Sequence, residues 1–342
     1  MNAPEHKTVL LVFGGESPEH DVSLKSAANV LNAIDQARFS IICCYIDRQG
    51  KWWSVDGVTP NHRQSPRIEP ILGGSAVRIG SHSRAIDVLF PILHGQNGED
   101  GTIQGLARMA HIPIVGCDID GSAISIDKVT TKRLLEQSGL PIVPYEVCHV
   151  SQVQPHYADI QSKLGGETFF IKPARQGSSV GINKANTPTT FEAALAEAFQ
   201  HDTKVIIEPA MQIREIEVAV KGTTLNPSTS VPGEIIPDRD FYSYESKYAN
   251  DSSSTIKIPA NLSPTITSQI QTYARQAFTT LHCRGLARVD FFVDTDSAVY
   301  INEINTLPGF TSISMYPKLW EASGVPYQQL VTELIDLALH NA

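Results

Sequence analysis

The chain has 342 residues, too long for one hydrophobic core and long enough for two or three compact units. Its net charge of -9 disfavours wholesale binding to nucleic acid or anionic lipid, yet leaves room for a local basic pocket for phosphates. Five cysteines with no CxxC pair (Cys43, Cys44, Cys117, Cys148 and Cys283) read as small core residues rather than a disulfide framework or zinc site.

Thr8 to Phe13 reads as a buried strand ending at Gly14-Gly15. This apolar run is too short for a signal-peptide core. A helix follows from about Asp21, with Val22, Ala27, Val30, Leu31 and Ile34 at helical spacing. Strands over 39–46 and 86–93 and a helix over 102–110 continue the alternation expected of a parallel α/β sheet. A helix over 127–138, closed by Gly139 and Pro141, precedes strands near 168–172 and 205–208. The last part opens with a strand at 215–220, carries a hairpin of strands 288–293 and 299–304, and closes with a helix over 327–340. The polar, aromatic stretch 237–254 has no apolar periodicity over a length uncommon for loops, and reads as a functional loop or lid. Three units are expected, over 1–122, 123–208 and 209–342. No stretch approaches the eighteen or so apolar residues that cross a bilayer, so a cytoplasmic chain is expected.

The 288–304 hairpin holds the strongest chemical signal. By strand alternation Arg288 and Asp290 share one face, as do Glu303 and Asn305 on the partner strand, so four polar groups can converge. Carboxylates and an amide suit magnesium, although the same pattern also describes a solvated outer face. A second signal is Lys172-Pro173-Ala174-Arg175-Gln176-Gly177-Ser178-Ser179-Val180-Gly181, a strand end running into a small, Gly- and Ser-rich loop. Such a loop can cradle phosphates or be an ordinary turn. There is no GxxxxGK[ST] stretch and no GxGxxG, so nucleotide would have to bind by another architecture.

These two motifs, in this order and separation, resemble the ATP-grasp fold. Five segments narrow the resemblance to the A-type D-alanine:D-alanine ligases: Glu19-His20-Asp21-Val22-Ser23, His94 to Gly101, Lys172 to Gly181, Glu245 to Tyr248, and Asn302 to Thr311 with Ser314-Met315-Tyr316-Pro317. The resemblance covers nearly the whole chain. It implies a three-domain ATP-grasp architecture of α/β and α+β type, with an N-terminal parallel-sheet domain, and ligation of two D-alanines through an acyl phosphate with release of ADP and phosphate.

By that resemblance Asp290, Glu303 and Asn305 would hold two magnesium (or manganese) ions, and Lys128 and Lys172 would contact the ATP phosphates. Glu208, Pro209 and Met211 would meet the adenine edge, although Pro209 lacks a backbone donor, with Glu215 at the ribose and Phe241 and Phe292 on the two faces of the base. Glu19 would receive the first D-alanine ammonium and connect through Ser178 to Tyr248, while His94 would lie near the first carboxylate. Arg288 and the Gly309 backbone N–H would stabilise the tetrahedral oxyanion. Lys247, Ser314 and the Met315 backbone would hold the second carboxylate, Lys247 also closing over the nucleotide. Tyr248 and Met315 resemble the D-alanine enzymes rather than relatives that use D-lactate or D-serine. The alternatives are such a relative, or a nucleotide-binding protein without turnover. The resemblance further implies a homodimer, a role in peptidoglycan precursor synthesis, and no nucleic-acid or membrane partner.

Overall fold

The computed structural model describes residues 6–236 and 255–340. Segment 237–254, with Phe241, Lys247 and Tyr248, lies outside the described residues.

The first sheet is built on β1 (Lys7–Gly14), a strand whose residues from Val9 to Phe13 are wholly buried. It pairs in parallel with β2 (Phe39–Ile46) on one side and β7 (Val88–Ile92) on the other, and an antiparallel edge strand, β3 (Trp52–Val55), completes the sheet. A strand buried on both faces needs cover on both. α1 (His20–Ala33) covers one face with Ala27 and Val30, and the C-terminal helix α9 (Tyr327–His340) adds Leu330, Val331 and Leu334 to the same cluster. α2 (Thr102–Met109) packs on the other with Ile103 and Ala107. Each Val, Leu or Ile side chain among these stabilises the fold by roughly 1.5–3 kcal/mol on full burial. The expected strand over 86–93 is shorter at both ends, and the expected helix at Asp21 starts one residue earlier. A small meander of β4 (Ile68–Ile71), β5 (Ala76–Ile79) and β6 (His82–Ala85) lies between β3 and β7 in the chain, in a stretch without strong periodicity.

α3 (Ile119–Ile126) leads into α4 (Lys128–Gln137), whose N-cap Asp127 accepts from the Val129 and Thr130 amides at 3.1 Å each. That cap fixes Lys128 at the first helical position. Then comes an antiparallel sheet in the order β10 (Asn183–Ala185), β9 (Phe169–Pro173), β11 (Lys204–Pro209), β8 (Glu146–His149), covered by α5 (Tyr157–Leu164) and α6 (Pro188–His201).

The third sheet is antiparallel: β15 (Thr255–Lys257), β14 (Gly233–Ile236), β12 (Ile213–Thr223), β16 (Gly285–Asp294) and β17 (Val299–Asn305), with β13 (Asn226–Thr229) also on β12. α7 (Pro264–Thr280) covers one face, packing Ile270, Ala274, Ala277 and Phe278 with Ile216, Val218 and Val220 of β12 and Ala287, Val289 and Phe291 of β16. By the period of two, the alternate residues Glu215, Glu217, Arg288, Asp290 and Phe292 face away from α7. α8 (Met315–Ala322) adds Met315 and Leu319 to the first sheet's cluster. Among the described residues no helix is long and apolar enough to cross a membrane.

Candidate active site

One register irregularity makes the site. Along β17 the buried positions run Val299, Ile301, Ile304, a step of two and then of three, because the pairing with β16 slips between Asp290 and Phe291. The slip leaves Asn302 as the extra residue, and it turns Glu303, which strict alternation would bury beside Ile301, to the face of Asp290. Asp290 then pairs with Glu303, and Arg288 with Asn305, on the face away from α7.

Arg288 organises that face. Its Nε and Nη2 donate to the two Asp290 carboxylate oxygens at 2.7 Å each, and Nε lies 3.1 Å from Glu217 Oε2 on β12. Burial works against the guanidinium charge, but the carboxylates of Asp290 and Glu217 outweigh it and hold the cation firmly protonated. Glu303 comes within 3.8 Å of Lys128 Nζ, which donates to the Gln176 carbonyl at 2.7 Å. Asn305 Oδ1 accepts from the Leu307 amide at 3.1 Å.

Among the described residues no group of three or more His, Cys, Asp or Glu could hold a metal ion unaided. The expected set contains two carboxylates and an amide oxygen. Those are hard oxygen donors, each with lone pairs beyond its protein contacts, and they fit a magnesium-class ion that takes its remaining ligands from phosphate and water.

Across a cleft of about 1190 Å³, Glu19, His94, Ser178, Arg288, Glu303, Gly309 and Ser314 line one space. Lys128, Asn305 and Met315 line it too. Glu19 is the N-cap residue of α1, but its side chain makes no cap bond, and instead its carboxylate accepts from the Ser178 hydroxyl. Ser178 and Ser179 both have φ in the left-handed region, 52° and 62°, which L-residues enter at a cost. The phosphate-loop candidate therefore turns sharply enough to bring Ser178 onto Glu19. Its base is held by Arg175, which donates to Asp202 at 2.5 Å, and by Gln176, which donates to the His201 carbonyl at 3.2 Å. His94 Nδ1 lies 3.1 Å from the Leu307 carbonyl, an acceptor only, so that nitrogen carries the proton. Burial pushes His94 below the ordinary imidazole range, against the pull of Glu19.

The residues expected at the nucleotide lie elsewhere. Lys172 on β9, Glu208 and Pro209 on β11, and Glu215 and Phe292 on facing strands do not line that cleft, nor do Met211 and Asp290. Glu208 places one oxygen on Lys172 Nζ (2.5 Å) and the other on Lys132 Nζ (2.7 Å). Burial alone would raise its pKa, but the two ammonium groups bring it down to about 2. Its side chain thus already holds two cations, so any adenine contact shares the carboxylate with them. Phe292 is half-buried, cross-strand from Glu215, on the Arg288 face rather than in the core.

Three residues near the site were not singled out from the sequence. Glu99 is half-buried at the cleft wall, 4.0 Å from His94 Nδ1, and its pKa rises to about 8 through desolvation and then the Glu19 charge. Its signal was its place inside the His94–Gly101 segment. Glu217 follows Glu215 by two in an apolar strand, and Lys132 follows Lys128 by four on α4, so periodicity alone put each on the face of a chosen neighbour. The cysteines are free and buried, as expected.

Residues 8–117 match the family "D-ala D-ala ligase N-terminus", and residues 134–336 match "D-ala D-ala ligase C-terminus". D-alanine--D-alanine ligase A of Escherichia coli K12 is 44% identical, covering 98% of this chain and 96% of its own. The D-alanine-D-alanine ligase structure from Coxiella burnetii superposes with a TM-score of 0.90 at 36% identity, over 98% of this chain and 95% of that one. The VanG D-Ala:D-Ser ligase from Enterococcus faecalis superposes with a TM-score of 0.88 at 32% identity, over 98% and 100%.

Proposed function

The chain belongs to the D-alanine--D-alanine ligase family, and we propose that it uses ATP to join two D-alanines into D-alanyl-D-alanine through a D-alanyl phosphate. What carries this reading is the single cleft in which Glu19 and Ser178 face Arg288, Glu303 and the Gly309 backbone.

A free carboxylate is a poor acyl donor, so the first D-alanine carboxylate attacks the γ-phosphorus of ATP, the bond to the β-phosphate oxygen breaks, and ADP leaves. Glu19 holds that substrate's ammonium, Ser178 holds Glu19, and His94 sits beside the carboxylate end. Lys128 and Lys172 take the phosphate charge as point cations. Asp290, Glu303 and Asn305 would hold two divalent ions, magnesium or manganese, whose chemistry is to neutralise the phosphoryl group in transfer. Glu208, Pro209, Met211, Glu215 and Phe292 would flank the nucleoside, with Phe241 completing that pocket.

The second D-alanine amine then attacks the acyl carbon. Charge develops on the carbonyl oxygen, where Arg288 and the Gly309 N–H donate, and phosphate departs as that oxygen returns to a carbonyl. Ser314, the Met315 backbone and Lys247 would hold the second carboxylate, and Lys247 with Tyr248 would keep water from the acyl phosphate. An apolar residue at Met315, packed into the first sheet's cluster, is what the D-alanine relatives carry, and it supports D-alanine over D-serine or D-lactate. Three units divided near 122 and 208, a homodimer, a cytoplasmic setting and a role in peptidoglycan precursor synthesis complete the proposal.

Purified protein with ATP, magnesium and D-alanine should yield ADP, phosphate and dipeptide in equal amounts, measured by mass spectrometry with D-serine and D-lactate in parallel. No ADP with any substrate would end the catalytic reading, and a preferred D-serine or D-lactate product would overturn the use made of Met315 and Tyr248.

A further inference from the structure

The Gly309 N–H can act as an oxyanion donor only if its peptide is held still, and the structure contains a device that holds it. Ser26, wholly buried on α1, accepts the Phe310 N–H at 3.2 Å, and its Oγ lies 3.3 Å from His94 Nε2. With the His94 proton on Nδ1 facing the Leu307 carbonyl at 3.1 Å, Nε2 accepts from the Ser26 hydroxyl. The hydrogen bonds form a closed ring that runs from the Leu307 carbonyl through His94 and Ser26 to the Phe310 amide. The two peptides that flank the Pro308–Gly309 peptide, which carries the Gly309 N–H, are thereby tied to the first sheet and its helix. Asn29, one turn further along α1, donates to the Phe310 carbonyl at 3.1 Å, and the Tyr327 hydroxyl donates to the same oxygen at 2.9 Å.

The donors of this segment are then accounted for in turn. Leu307 N–H goes to Asn305 Oδ1, Pro308 has none, and Phe310 N–H goes to Ser26. Within 307–310 the Gly309 N–H alone has no partner among the described residues, and Gly309 lines the cleft. Ser26 also lies seven residues, about two helical turns, from Glu19 on the same helix face. One rigid element therefore sets both the ammonium acceptor of the first substrate and the donor at the reacting carbonyl.

We propose that Ser26 and Asn29 are positioning residues for the reaction's second step, fixing the Gly309 amide through Phe310 and His94. This rests on the ligase reading of the site. Ser26→Ala removes the hydroxyl without adding volume. It should lower kcat for dipeptide formation by about 10- to 100-fold and leave KM for ATP within about twofold. Asn29→Ala should lower kcat about 3- to 10-fold, because Tyr327 still holds the Phe310 carbonyl. Ser26→Thr, which keeps a hydroxyl, should recover most of the loss.

The decisive readout separates the two steps. With 18O-labelled ATP and D-alanine, positional isotope exchange reports reversible acyl phosphate formation, and in Ser26→Ala it should persist while dipeptide formation falls. Exchange and dipeptide falling in parallel, or kcat within twofold of the parent, would overturn the proposal. Amide hydrogen exchange judges the clamp independently of turnover. In Ser26→Ala the Phe310 amide should exchange at least about tenfold faster while β16 amides are unchanged, and unchanged exchange at Phe310 overturns the clamp. If the parent protein makes no dipeptide, the ligase reading falls, and this arm still decides whether Ser26 holds the loop.

Discussion

The Ser178 hydroxyl donates to the Glu19 carboxylate across 159 positions of sequence, closing a glycine- and serine-rich loop onto the first turn of α1. Glu19 is buried and Ser178 half-buried, so the bond forms where solvent competes weakly. A hydrogen bond to a charged group is worth about 1.5–3 kcal/mol, which converts to roughly 10- to 100-fold. Ser178→Ala should therefore raise KM for the first D-alanine or lower kcat/KM by about that factor, in steady-state kinetics at fixed ATP. Unchanged kinetics would mean that the loop is held shut by other contacts.

Arg288 predicts two separable losses. Arg288→Lys keeps a charge but cannot make the paired donation to Asp290 while reaching Glu217, so kcat should fall by about 10²- to 10³-fold with the fold intact. Arg288→Met removes the guanidinium charge from beside Asp290 and Glu217 and should also cost about 3–5 kcal/mol in urea unfolding. Equal stability of the two variants would show that the acids find other partners.

How much of this was readable in the sequence depends on whether the information is local. β1 was legible from its continuous apolar run and α9 from its apolar periodicity, and Asp127 with Gly139 marked the ends of α4. The convergence of Arg288, Asp290, Glu303 and Asn305 was legible only in outline. Alternation fixes the faces of each strand separately, while the fold achieves the meeting through a slip at Asp290/Phe291, betrayed in sequence by the broken step from Ile301 to Ile304. The β4–β6 meander had too little apolar contrast to be seen. The Glu19–Ser178 and Lys132–Glu208 contacts join distant segments, and nothing in either segment names its partner; the first was expected only through the family resemblance.

Lys132 is buried, and Glu208 divides its two oxygens between Lys132 and Lys172. Lys132→Met removes one of the two cations that hold the carboxylate low, so the Glu208 pKa should climb from about 2. A depressed acid contributes stability above its unfolded value near 4.5 and loses it as pH falls toward 2. At pH 7 the variant should lose about 3 kcal/mol in urea denaturation, and its acid unfolding should begin at higher pH. KM for ATP should change too, since Lys172 is then the only ammonium pairing with Glu208. A variant as stable as the parent at pH 7 would show that Lys172 alone suffices for Glu208.

Glu99 gives the opposite pH signature. Its carboxyl is raised to about 8 by burial and by the Glu19 charge, against 4.5 in the unfolded chain. Between those values the native state keeps a proton that the unfolded chain has released, so this contribution is full below about 4.5 and is lost as pH rises through 8. His94 titrates below its ordinary range and Glu208 near 2, so neither interferes above pH 7. From pH 7 to 9 the metal-free parent should lose about 1.4 kcal/mol relative to Glu99→Gln, which cannot ionise. Urea midpoints for both proteins at pH 7, 8 and 9, with EDTA present so that no cation offsets the cleft's carboxylates, measure that difference. Parallel curves would mean that Glu99 is already ionised at pH 7, with the Arg288 charge or cleft water outweighing its burial.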